Sequence, residues 1–415
     1  MNDFNIQKYI NNERYIALVD CDSFFCSCER KLNPALKGKP VCVVTGERGC
    51  VVARSKEAKA MGIKMGEPVF MALRDYPKCI YVTANHYNYL KISKEVMSIL
   101  QSLSPQVEVY SIDEAFLDVT KLMGVYKKNY FDFAKFVQDK ILKEVDIPVS
   151  IGVSKSKTLA KIASYKAKTT KERVVLIGKR KIPKALKDTK VSDVWGIGRR
   201  LDVRCKTLGI FTALDFTNKD DFFIKANFGK NGLLTKYELL GNAINEVTNE
   251  YTPPKSIMDT QSFLVFTTEL DYIKNELLVH IHMACLKLRY AECKCKKIGV
   301  ILKRKDFLCK FLESKLEYAT NFELDITDTA FSLLNLMYEK NVLYRSVGIV
   351  LEDICNEGNE QLDFFVDEKK IIKSENLGKA IDALEEKYGK NVVKLGFENK
   401  KAPNKQGFLT SPKGK

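Results

Sequence analysis

Three carboxylates stand out by their placement. Asp20 closes the apolar run YIALV within Asp20-Cys21-Asp22, and Asp113 with Glu114 lies in Ser111-Ile112-Asp113-Glu114-Ala115. A short apolar run ending in an acid reads as a buried strand that delivers a carboxylate at its C-terminal end. Two divalent cations working as a pair need carboxylates held on rigid strands, because the ions neutralise both an attacking oxygen and a phosphate. Oxygen ligands of this kind suit Mg²⁺, which keeps water and substrate phosphates in its shell. One acid at a strand end is ordinarily a turn cap; these two clusters together point to a single site.

The elements that must position them follow from hydrophobic periodicity. The segment SFFCSCERKLN reads as a helix closed at Asn33-Pro34, and VCVVTG with GCVVARS as a hairpin around Glu47-Arg48-Gly49. Helices are expected over 56–61, stopped at Gly62, over Tyr87–Leu103 and over Phe131–Glu144, the last leading into the strand VSIGVS. VEVYSIDEAFLDVT alternates like two adjacent strands, with Ile112–Ala115 at their turn. Thr252-Pro253-Pro254 reads as a linker. Beyond it, β-rich runs (SFLVFTT, KKIGVILKR, FELDIT, SVGIVLEDI) alternate with helices over 269–291 and 328–338, a compact α+β domain. The remaining residues form a polar, Lys-rich tail.

Composition bounds the partners. The chain has 415 residues, room for two to four domains, and 68 Lys and Arg against 52 Asp and Glu give a formal charge of +16. Thirteen of those bases fall between Ser150 and Lys190 against only Glu172 and Asp188, the strongest local basic field, so an anionic partner such as nucleic acid is expected. No run reaches the ~18 apolar residues of a membrane helix, and the N-terminus shows no apolar signal region, so a cytoplasmic protein is expected. The twelve cysteines include the C-x-C pairs Cys26/Cys28 and Cys293/Cys295 but no C-x-x-C, and read as reduced thiols rather than a zinc or disulfide set.

The segments YIALVDCDSFF, LNPALKGKPVCVV, VVARSKEAKAMGIKMGEP, VYSIDEAFLDVT, VSIGVSKSKTLAKIAS and VWGIGRRL, in this order and spacing, resemble a Y-family translesion DNA polymerase. The fingers-like stretch ARSKEAKAMGIKMGEP is closest to the UmuC-type branch. The resemblance is strong over 14–250 and weaker over 255–355. It implies an α+β multidomain fold, a right-hand polymerase. Its parts are a ferredoxin-like palm (1–31 and 85–175), small fingers (32–84), a helix-hairpin-helix thumb (176–250), a C-terminal little-finger domain (256–356) and a tail (357–415).

Carried over residue by residue, the resemblance makes Asp20, Asp113 and Glu114 the catalytic carboxylates and ligands of two Mg²⁺ ions, with the Cys21 carbonyl as a further contact. Phe25, with Phe24 beside it, falls on the steric gate beneath the sugar of the incoming dNTP. Arg54, Lys59 and Lys168 fall on the nucleotide and its triphosphate. Lys56, Lys59 and Thr169 depart from the Tyr, Arg and Pro common in the family at those places, so the triphosphate contacts are expected to differ in detail. Primer-template DNA is expected to meet Lys161, the Gly196-Ile197-Gly198 turn through its backbone amides, and Lys296, Lys297, Lys303 and Arg304. Gln361-Leu362-Asp363-Phe364-Phe365 is similar to the motif that docks bacterial polymerases into the sliding clamp. A monomer is expected, with recombinase or SOS accessory proteins as further partners. A nucleotide cyclase and a DNA-binding module without catalysis are the rival classes. The basic regions argue against the first, and the intact Asp20, Asp113 and Glu114 against the second.

Overall fold

The computed structural model describes residues 13–46, 49–250, 253–357 and 368–388. The described residues divide into two compact units, one ending at Glu250 and the other following it in the chain. The first contains strands β1 (Ile16–Cys21), β2 (Val41–Val44), β3 (Val51–Arg54), β4 (Ile80–Thr83), β5 (Val107–Val109), β6 (Glu114–Asp118), β7 (Val149–Ser154) and β8 (Val174–Ile177). Five of these form a sheet in the order β5-β6-β1-β7-β8, and β3-β2-β4 form a smaller one.

β1 is buried along its whole length because it is central, antiparallel to β6 on one side and β7 on the other. That explains why IALVDC reads as an unbroken apolar run rather than an alternating one. The helices His86–Leu103 and Tyr130–Val145 cover one face through Val96, Leu100, Val137 and Ile141. The helix Lys157–Ala167 packs on the sheet with its backbone almost touching β7. A Cβ on Gly152 would sit 2.0 Å from Ser164 N and 2.4 Å from Ala160 O, so only glycine admits this approach.

Several expectations need correction. Glu114 and Ala115 already belong to β6 and β5 ends at Val109, so the turn is Tyr110–Asp113, two residues earlier than the alternation suggests. The Gly-Ile-Gly turn is preceded by a single 3₁₀ turn (Val191–Asp193), not a longer helical stretch, and followed by the helix Arg199–Thr207. Strands β4 and β8 and the helix Val69–Asp75 had no expected counterpart.

The second unit holds β9 (Ile257–Thr267), β10 (Cys293–Arg304), β11 (Cys309–Thr320) and β12 (Tyr344–Asn356) in the order β11-β10-β12-β9. Helices Leu270–Tyr290 and Glu323–Met337 cover this sheet through Leu277, Ile281, Ile326 and Leu334. FELDIT, expected as a strand, instead opens the second helix. Ile326, Ala330, Leu333, Leu334 and Met337 are buried at helical spacing, and the polar run CKFLESKLEYAT supplies the strand. Within the expected tail the structure places a helix, Glu368–Tyr388.

Candidate active site

The register of β1 against β6 sets Asp20 directly opposite Glu114. Asp113, one residue earlier, is joined to the same strand through its backbone, since Cys21 N–H donates to the Asp113 carbonyl at 2.9 Å. Two acids on neighbouring strands in a site where Asp20 is only 7% exposed are costly to ionise together. Burial pushes the Asp20 carboxyl up to about 6; Lys168 opposes this, and the nearby Glu114 adds to it.

Two lysines of one helix face offset that charge. Lys168 Nζ donates to Asp20 Oδ2 at 2.6 Å, and Lys161 Nζ to Glu114 Oε2 at 2.9 Å. Asp113 Oδ1 is taken by Ser111 Oγ at 2.5 Å. The structure therefore brings Asp20 and Glu114 together and keeps Asp113 turned to its own loop. Among the described residues no three His, Cys, Asp or Glu side chains close on one point. The donor chemistry still fits a hard divalent cation: buried, mutually repelling carboxylates now balanced by ammonium groups. The Cys21 side chain lies in the core, 2% exposed, where burial and then the charges of Asp113 and Asp20 push its thiol well up. Only its backbone is left to serve such an ion.

Asp22 has a separate task. It accepts from Ser150 Oγ at 2.8 Å and pairs with Arg173, fixing the end of β1 to β7. Ser23 follows in the left-handed region and opens the helix Phe24–Leu32 without a side-chain cap, its hydroxyl accepting from Lys59 Nζ at 3.1 Å instead. Lys59 is held below its ordinary value by burial and by the neighbouring Arg54 and Lys168. These three cations thus share one electropositive corner beside Asp20. Arg54 is anchored there by a 2.5 Å bond to the Ile63 carbonyl, and its buried Nε has no partner among the described residues.

Phe25 is half-buried and stacks on Tyr89 with ring centroids 4.5 Å apart and planes at 18°, while His86 meets its edge at 5.6 Å. Phe24, grouped with it from sequence, turns into the core at 3% exposure and cannot face a nucleotide. Tyr89 and His86 escaped sequence reading because their link to Phe25 spans some sixty residues of chain.

The expected DNA contacts divide. Lys161 is committed to Glu114. Six of the thirteen bases in the 150–190 field, Lys155, Lys157, Lys161, Lys166, Lys168 and Arg173, are paired with acids drawn mostly from distant segments. Counting charge along the chain misses those acids. Gly196 adopts φ +93°, and Gly198 opens the helix Arg199–Thr207 with no side-chain cap, leaving its first amides for a ligand or water. On β10, Lys297 is bound to Glu313 at 2.7 Å and Glu352 at 3.2 Å, and Arg304 to Asp306 at 3.2 Å, whereas Lys296 is exposed and Lys303 lies over the Phe307 ring. Residues 361–365 lie outside the described residues.

Comparison with known proteins gives the family. Residues 19–165 match the impB/mucB/samB family, and residues 254–364 match the impB/mucB/samB family C-terminal domain. The chain is 31% identical to the protein UmuC of Salmonella typhimurium, over 91% of this chain and 92% of that protein. It is 29% identical to DNA polymerase IV of Oceanobacillus iheyensis, over 92% of each. Among solved structures it resembles the Y-family DNA polymerase chimera Dbh-Dpo4(243-245)-Dbh with a TM-score of 0.70 and 27% identity, covering 82% of this chain and 99% of the other. The chain belongs to the impB/mucB/samB family and is a UmuC/DinB-like Y-family translesion DNA polymerase.

Proposed function

We propose that this polymerase extends a primer by two-metal phosphoryl transfer at Asp20, Asp113 and Glu114. The carrying observation is the in-register pair Asp20 and Glu114, set beside the electropositive corner of Arg54, Lys59 and Lys168. When bound, the divalent ions supply Lewis-acid stabilisation of the attacking oxygen and the phosphate. The chain's own residues do the rest. Arg54, Lys59 and Lys168 bind the dNTP triphosphate, Phe25 lies beneath its sugar, and the carboxylates hold charge at the reacting end.

In this reading the β5-β6-β1-β7-β8 sheet and its helices are the palm, the β3-β2-β4 sheet the small fingers, residues 176–250 the thumb and the second unit the little finger. The Gly196-Ile197-Gly198 amides, Lys296 and Lys303 contact DNA phosphates, and Gln361–Phe365 docks on a sliding clamp. The test is primer extension with Mg²⁺. Wild type extends primers, whereas Asp113→Ala and Glu114→Ala lose at least about a hundredfold in rate while duplex binding stays within a few-fold. Wild-type rates in the variants would move the site elsewhere.

A further inference from the structure

Lys161 has two environments at once. Its Nζ lies 2.9 Å from Glu114 Oε2, and also 4.4 Å from the ring centre of Tyr110, 5.5 Å from that of Trp195 and 5.8 Å from that of Phe116. The three rings pack on one another independently of the lysine: Tyr110 to Phe116 at 5.6 Å, Tyr110 to Trp195 at 5.5 Å and Phe116 to Trp195 at 6.0 Å. Trp195 Nε1 donates to Tyr110 Oη at 3.1 Å, and Tyr110 N–H donates to the Glu114 carbonyl at 3.0 Å. Tyr110 and Phe116 therefore belong to the same hairpin as Glu114, and Trp195 closes the cage from a distant segment.

We propose that Lys161 is a positioning residue that holds Glu114 in place before a divalent cation arrives and then withdraws onto the faces of Tyr110, Trp195 and Phe116. This rests on the reading of Asp20, Asp113 and Glu114 as a metal-dependent polymerase site. An ammonium group that gives up its carboxylate inside a protein needs other compensation. Lys168, with 42% of its side chain exposed, has water for that purpose, whereas Lys161 is 19% exposed and has the electron-rich ring faces. Lys157, one turn earlier on the same helix, is 4% exposed and fixed to Glu108 at 2.5 Å, and its ammonium lies 5.2 Å from the Phe116 ring centre, so Phe116 is shared while Tyr110 and Trp195 face Lys161. Trp195 directly precedes the Gly-Ile-Gly turn, so the cage also joins that turn to the hairpin that carries Glu114.

Trp195 is the chain's single tryptophan, so emission excited selectively at tryptophan, clear of the 18 tyrosines, reports on the cage. The experiment is an Mg²⁺ titration of the full chain bound to a chain-terminated primer-template with the matching dNTP, read as Trp emission. Wild type gives a saturable emission change as the ammonium moves closer to the indole. Lys161→Met, of similar length but uncharged, loses that change, and Lys161→Arg keeps it; thermal midpoints confirm that both are folded. An equal response in Lys161→Met, or no response in a wild-type protein that does extend primers, overturns the proposal and leaves the active-site reading standing. A wild-type protein that extends no primer at any Mg²⁺ concentration overturns that reading and this proposal with it.

Discussion

Asp20 and Glu114 are direct partners in the register of β1 and β6, and each carries a lysine from the same helical segment, Lys168 and Lys161 respectively. Those two lysines stand about two turns apart at 3.6 residues per turn, hence on one face. The strand pairing fixes the acids, and the helix fixes the bases. What fixes the helix is the close approach at Gly152.

Gly152→Ala should therefore act on both lysines together. The added Cβ meets backbone atoms of the helix, which cannot yield as a side-chain tip can, so a cost of about 1–3 kcal/mol or somewhat more is expected. The measurement is a urea unfolding curve alongside primer extension at a temperature where the variant stays folded. Loss of activity beyond the unfolded fraction is the expected outcome, and full activity in the folded variant would show that the helix position does not matter.

The parts legible in sequence were the local ones. The apolar run of β1, the helices over 86–103 and 130–145 and the acids themselves follow from periodicity and from one strand end. What escaped were partnerships over long separations. Examples are Lys161 with Glu114, Arg173 with Asp22, Phe25 with Tyr89, and Trp195 with Tyr110. FELDIT failed for a different reason: a short apolar-polar alternation also fits the first turns of an amphipathic helix, and the burial of Ile326 and Ala330 decides it.

Cys21→Ala tests whether the thiol matters. The side chain faces the core and is kept protonated by burial, so it offers an ion neither a thiolate nor an exposed sulfur. Losing it leaves a small cavity worth about 1–2 kcal/mol. Extension rate at saturating Mg²⁺ should stay within about threefold of wild type; a collapse in a well-folded variant would assign the sulfur a chemical role.

In the second unit, Glu323 is 1% exposed and accepts from His282 Nδ1 at 2.9 Å and from Arg289 Nη2 at 2.9 Å. Arg289 also holds Asp382 of the helix Glu368–Tyr388 at 2.6 and 2.8 Å. Burial alone would raise the Glu323 carboxyl, but the bonds from His282 and Arg289 outweigh it and hold it below 4.5. A folded value below the unfolded one means that the unfolded chain binds the extra proton. The stabilisation is thus complete above about 4.5 and drains away as pH falls through the lower folded value. Hydrogen exchange of the Leu270–Tyr290 amides should speed up across that window in wild type and less so in Glu323→Gln. Arg289→Ala, which strands a buried carboxylate, should cost about 3–5 kcal/mol at neutral pH.

Phe25→Ala separates packing from selectivity. The ring stacks on Tyr89, which is itself locked by a 2.5 Å bond from its hydroxyl to Glu29, so Phe25 sits on a rigid base and cannot swing aside for a bulkier sugar. Its removal forfeits an aromatic pair worth about 0.5–1.5 kcal/mol plus part of its buried area, a loss the fold survives. If the ring lies beneath the nucleotide sugar, the space it leaves admits a 2′-hydroxyl, and the preference for deoxy- over ribonucleotides should fall roughly 10- to 200-fold. The effect should reside in ribonucleotide incorporation, with deoxynucleotide kcat/KM lowered by much less. Single-turnover incorporation of paired deoxy and ribo substrates measures both. Unchanged discrimination in the variant would return Phe25 to a purely packing role against Tyr89 and His86.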